Sequence, residues 1–136
     1  KDVEAFMKQP WTMTCTDGGL SEFGSGEEHP RASGAFPRKI SRYVFERNVI
    51  SLEQAIHSST GLTATVLGVR DRGFLREGAY ADVLIFDAAK FRDVATYEAP
   101  DAYSEGVDYL LVNGKLAIDG GKVTSDRHGR VLRRGQ

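Results

Sequence analysis

Cysteine is nearly absent from this sequence: Cys15 is the only one in 136 residues, so no disulfide can form within the chain. Such usage suits a reducing compartment, and a cytoplasmic setting is the expectation. Long apolar runs are missing too. None approaches the roughly 20 residues that a membrane-spanning helix needs, and no signal-peptide-like stretch is present, so no membrane partner is expected. An excess of one charge is also missing. The 18 basic and 19 acidic residues are interspersed, which leaves no basic field to hold a nucleic-acid backbone. Histidines are few and scattered at His29, His57 and His128, with no His-x-His pair, whereas a metal centre needs convergent ligands. No internal repeat or low-complexity segment occurs. The sequence opens on Lys1 rather than methionine, from which further sequence upstream is expected.

What is present suffices for a folded domain: 40% of the residues are hydrophobic. Val3, Phe6 and Met7 have helical spacing before Pro10 stops the pattern. The next stretch, WTMTCT (Trp11 to Thr16), is β-branched, aromatic and uncharged, the composition of a short strand buried on both faces. Cys15 within it is then read as a core thiol, inert by burial. The strand runs into Asp17-Gly18-Gly19. Residues 18–34 hold five of the fifteen glycines and read as a loop. Phe36, Ile40, Tyr43 and Val44 mark one face of a helix over 36–47, with Pro37 in its first turn and Asn48 ending it. Ser51-Leu52-Glu53-Gln54 is a capping box that starts a second helix at Leu52, to stop near Gly61. A short third helix over 62–67 would close on Gly68 in a left-handed cap.

Near Gly73 the composition shifts and the helical period gives way to short apolar runs. Val83 to Phe86 and Tyr109 to Val112 read as short strands, and Asn113-Gly114 is a strong hairpin signal ahead of Lys115 to Ile118. Gly120-Gly121 marks another turn before Lys122-Val123-Thr124, while 88–107 should be mostly loop. Two parts are expected, 1–72 with strand, loop and helices, and 73–136 rich in β-structure.

Several motifs recur in an order that resembles a known family. TDGG with Asp17, HPRASGAFPR (His29 to Arg38), GFLREGAYADVLIFD (Gly73 to Asp87), VNGKLAIDGGKVT (Val112 to Thr124) and GRVLRR (Gly129 to Arg134) are similar to the C-terminal portion of the N-acyl-D-amino-acid deacylases, or D-aminoacylases. These form a branch of the metal-dependent amidohydrolase superfamily. The resemblance implies an α/β fold plus β: the last strand and helices of a (β/α)8 barrel, followed by the C-terminal strands of a small β-sandwich. Within this chain the barrel would be incomplete and the whole α+β in appearance. WTMTCT would be the eighth barrel strand, with Asp17 at its C-terminal end, where such barrels carry their active sites.

The resemblance implies that Asp17 contacts or lies beside a catalytic zinc, accepts a proton from the attacking water and passes it to the leaving amine. Arg31, the arginine of HPR, would hold the carboxylate of the small-molecule substrate, an N-acyl-D-amino acid. Gly18, Gly19, Gly73, Gly78 and Gly114 would make structural turns. Taken singly, Asp17 reads equally well as a turn carboxylate, and Arg31 as a surface arginine. His29 is read as ordering its loop, Asp82 and Asp87 as fixing strand ends, and Glu27-Glu28 as solvated charges. Thr16 stands where the family usually has serine, and the spacing before HPR differs from the commoner one.

The other zinc ligands of the family come from earlier barrel strands that this chain does not contain. The isolated chain is therefore expected to be inactive, to bind no zinc by itself, and to expose apolar surface that a missing N-terminal barrel portion would cover, with self-association as a consequence. Two other readings stay open: a cyclic-amide hydrolase of the same architecture, and a stand-alone binding or assembly domain without chemistry.

Overall fold

A computed structural model describes residues 1–19, 24 and 29–133. Helices occupy the first half and a β-meander the second. Helix α1 spans Asp2–Met7. Helix α2, Arg31–Arg38, continues without a break into a π-helical stretch, Lys39–Glu46. Helices α3 (Leu52–Ser59) and α4 (Gly61–Leu67) follow. Strands β1 (Val83–Phe86), β2 (Val107–Val112), β3 (Lys115–Asp119) and β4 (Lys122–Val123) form one antiparallel sheet in the order β1-β2-β3-β4.

The helix expected over 36–47 begins earlier, at Arg31, which leaves Pro37 in the helix interior rather than in its first turn. Proline lacks the N–H that would bond to the carbonyl of Ser33. That carbonyl accepts instead from Ser104 Oγ at 2.8 Å, so the connection between β1 and β2 supplies the missing donor. Arg38 Nη1 meets Asp93 Oδ2 of the same connection at 2.9 Å. Downstream the turns widen, with the Arg47 N–H donating to the Arg42 carbonyl five residues back. Asn48, at φ 50°, ends the helix as expected.

Ser51 caps α3 by accepting from the Gln54 N–H at 3.1 Å. The reciprocal half of the capping box is not formed. Gln54 Nε2 donates to the Met7 carbonyl at 3.1 Å, satisfying one of the orphan acceptors at the end of α1. Gly68 closes α4 at φ 73°.

The core lies between the helices and one end of the sheet: Ile40, Val44, Ile50, Ala55 and Phe91 are buried together, with Met7, Val49, Leu52, Phe86 and Val107 packed around them. Asn113 (φ 54°) and Gly114 (φ 77°) build the β2–β3 turn with the left-handed geometry that two-residue hairpins favour. Gly73 and Gly78 also have positive φ. Most of 88–106 is irregular, apart from a bridge between Arg92 and Glu105.

The largest departure from the sequence reading is WTMTCT. Trp11 lies in a turn, Thr12 to Thr16 pair with no strand among the described residues, and Trp11 is 64% exposed. Composition signalled a buried strand, yet burial depends on neighbours on both sides, and here the segment has helices on one side only. Cys15 faces outward and is exposed, so it is not a core thiol.

Candidate active site

Along 11–17 exposure alternates. Thr12, Thr14 and Thr16 are half-buried, and Trp11, Met13, Cys15 and Asp17 are exposed. The threonines fasten the segment. The Thr14 N–H donates to the Ser58 carbonyl at 2.8 Å. Thr16 Oγ1 donates to the Arg31 carbonyl at 3.1 Å and accepts from the Gly18 N–H at 3.2 Å. Gly18 runs so close to α2 that an added Cβ would stand 2.8 Å from Ala32 Cα, whereas at Gly19 it would meet nothing within 4 Å. Only a residue without a side chain lets the turn after Asp17 pass the start of α2 at this separation.

Opposite this turn, His29 Nδ1 accepts from the Arg31 N–H at 3.1 Å, satisfying one of the free donors of the first turn of α2. The His29 ring also meets Tyr97 edge-on at 5.0 Å. Arg31 then reaches across to Asp17, Nη2 to Oδ2 3.3 Å, with the carboxylate 92% exposed. Fourteen residues apart in sequence, the two residues that the motifs singled out thus share one edge of the molecule. An exposed ion pair of this kind contributes little to stability. Both groups are free to take other partners.

Lys39 was not singled out from the sequence. Its side chain is buried, at 5% exposure, and Nζ donates to Thr14 Oγ1, to Ser58 Oγ at 2.6 Å, to the Ala55 carbonyl at 3.1 Å and to Ser59 Oγ at 3.2 Å. Burial pushes the ammonium down to about 8. A signal existed: Lys39 falls three residues after Phe36 and four before Tyr43, within the apolar stripe of its helix. Beside it an open cleft of about 360 Å³ is walled by Val3, Phe6, Met13 and Tyr43; neither Asp17 nor Arg31 reaches it.

The glycine-spaced segment 73–82 serves the sheet. Asp82 pairs with the buried Arg72 and accepts from the Asn113 N–H at 2.8 Å, while Arg72 also meets the Asn113 side chain. The Tyr80 ring has the guanidinium of Arg72 at 4.5 Å and that of Arg130 at 4.0 Å. At the other end of β1, Asp87 holds Lys90 Nζ at 2.9 Å and accepts from the Ala89 N–H, and these bonds lower its pKa. His57 packs near Phe74, and the His128 carbonyl accepts from Asn113. Glu27 and Glu28 lie outside the described residues.

Among the described residues no group of three or more His, Cys, Asp and Glu side chains converges on a point that could hold a metal ion. These residues by themselves do not make a zinc site. No helix among them is long and apolar enough to cross a membrane.

Helices joined to a small antiparallel sheet, with an aspartate at an exposed edge, define the architecture, and comparison with known proteins gives its family. Residues 1–118 match the model of the amidohydrolase family, and the chain belongs to that family. It is 38% identical over 131 residues to an N-acyl-D-aspartate deacylase of Alcaligenes xylosoxydans xylosoxydans, an alignment that takes in 96% of this chain and 26% of that protein. The crystal structure of a D-aminoacylase described as defining a novel subset of amidohydrolases superposes with a TM-score of 0.87 at 36% identity, over 98% of this chain and 27% of its own. N-acyl-D-glutamate deacylase from Bordetella bronchiseptica, complexed with zinc and a phosphonate mimic of the tetrahedral intermediate, gives 0.85 at 38% identity, over 97% and 27%. The chain therefore spans about a quarter of the length of the relatives it matches.

Proposed function

We propose that this chain is the C-terminal part of a zinc-dependent deacylase that hydrolyses N-acyl-D-amino acids to a carboxylate and a D-amino acid. The observation that carries this reading is the juxtaposition of Asp17 and Arg31 at 3.3 Å on an exposed edge, a base and an anion-binding group side by side. The names and ligands of the relatives support it. Asp17 takes the proton of the attacking water and delivers it to the departing amine, while Arg31 turns from Asp17 to the substrate carboxylate. The described residues do not complete a metal site, and in the longer protein of this reading zinc, held by further ligands, would polarise the scissile carbonyl.

Within that protein, WTMTCT is the last barrel strand, 1–72 the end of the catalytic barrel and 73–136 part of a sandwich. The exposed apolar groups Val3, Phe6 and Trp11, and the apolar residues on both faces of the sheet, support covering layers on each side. The test is an assay of the full-length protein on N-acyl-D- and N-acyl-L-amino acids before and after chelation. Hydrolysis of the D-substrates alone, lost on chelation and restored by zinc, is expected. Turnover of cyclic amides instead would favour a cyclic-amide hydrolase.

A further inference from the structure

We propose that Lys39 is a positioning residue for Asp17, holding the extended segment 12–17 against the helices through Thr14; the inference rests on the catalytic reading of Asp17. Neighbouring strands of the longer protein would flank the segment, but what fastens it to the helices is a set of polar contacts within this chain. Thr14, three residues before Asp17, is the centre of them: its N–H bonds to Ser58, and its hydroxyl meets both Lys39 Nζ and Ser59 Oγ, the latter at 3.3 Å. Lys39 in turn joins the start of the π-helical stretch to the last turn of α3, where the Ala55 carbonyl, Ser58 Oγ and Ser59 Oγ accept from it. A single ammonium thus ties together three pieces of chain.

The partners are all hydroxyls and carbonyls. A carboxylate at this point would bind the lysine more tightly, but neutral acceptors suffice to satisfy its three protons while leaving Asp17 as the acidic group of the segment. Alternation of side chains along an extended chain carries the effect outward. Thr14 and Thr16 face the helices, so fixing Thr14 fixes the register that points Asp17 to the opposite side. A lateral shift of about 1 Å at the base can cost on the order of a hundredfold in rate.

The test uses the full-length enzyme carrying K39M, T14V or D17N, assayed well below the melting temperature of each. T14V keeps the shape of the side chain and leaves Lys39 its other three acceptors, which makes it the variant that decides if K39M does not fold. Expected for T14V and K39M is a fall in kcat of about 10- to 100-fold, with KM within about threefold of the parent and zinc content unchanged. Unchanged kcat in T14V, with D17N inactive, overturns the role of Lys39. Normal turnover in D17N overturns the catalytic reading of Asp17 itself.

Discussion

The Asp17 carboxylate lies 3.3 Å from the guanidinium of Arg31, and the same Arg31 is held at its backbone by Thr16 and by His29. Side chain and main chain of one residue therefore link the end of the extended segment to the start of α2. In the full-length protein D17N retains the hydrogen-bonding shape but cannot take a proton. Turnover should fall by about 10²- to 10⁴-fold with KM little changed, which steady-state kinetics on an N-acyl-D-amino acid would read.

Arg31 offers a different signature. R31A should raise KM severalfold for substrates with a free carboxylate and leave KM for the corresponding methyl esters nearly alone. R31K should recover little of the loss, since a point charge does not reproduce a planar fork. Equal effects on acid and ester would remove Arg31 from carboxylate recognition.

Lys39 makes stability depend on pH in a direction opposite to that of a salt-bridged lysine. Its folded pKa is lowered from 10.5 to about 8 by burial, so between these values the unfolded chain binds a proton that the folded chain does not. Stability should rise as pH climbs through that window, and the cost of the buried charge is fully present below it. Denaturant midpoints at pH 7.5 and 9.5 would measure the effect, expected to be on the order of 2 kcal/mol relative to K39M. Parallel curves for parent and variant would show that Lys39 does not titrate in this range.

Two glycines predict opposite outcomes of the same substitution. At Gly106, φ is 83° and an added Cβ would stand 2.4 Å from the Phe91 nitrogen, so G106A should destabilise by more than about 2 kcal/mol. At Gly19 nothing lies within 4 Å, and G19A should stay within about 0.5 kcal/mol of the parent. Thermal melts of the two variants would check both.

Trp11, at 64% exposure, and Val3 and Phe6, each at 58%, leave apolar surface open on the helical side. The 136-residue chain produced alone should self-associate and show no deacylase activity. Sizing by light scattering decides the first point, and a clean monomer would count against a covered face.

Elements whose cause is local were legible in the sequence. Ser51 as a cap, Gly68 as a helix stop, Asn48 as a helix end and Asn113-Gly114 as a hairpin turn all appear where their chemistry puts them, because each is set by the conformational limits of one or two residues. The motif order likewise pointed to the family and brought Asp17 and Arg31 forward, although only the fold shows that they touch. WTMTCT and Cys15, read as buried, are exposed in this chain, since an apolar strand is buried only where a second surface covers it, and the longer protein proposed above would supply that surface.

Tertiary structure alone decided the rest. Pro37 sits inside a helix because Ser104, far along the chain, bonds to the carbonyl it leaves free. Gln54 abandons its capping box for the end of α1. Lys39, one charged side chain in an amphipathic helix as a sequence reads it, is the buried link between that helix, α3 and the segment that ends at Asp17. Local chemistry determines turns, caps and candidate residues; which side chain meets which, and how deeply, depends on packing between distant parts of the chain that no short stretch of sequence encodes.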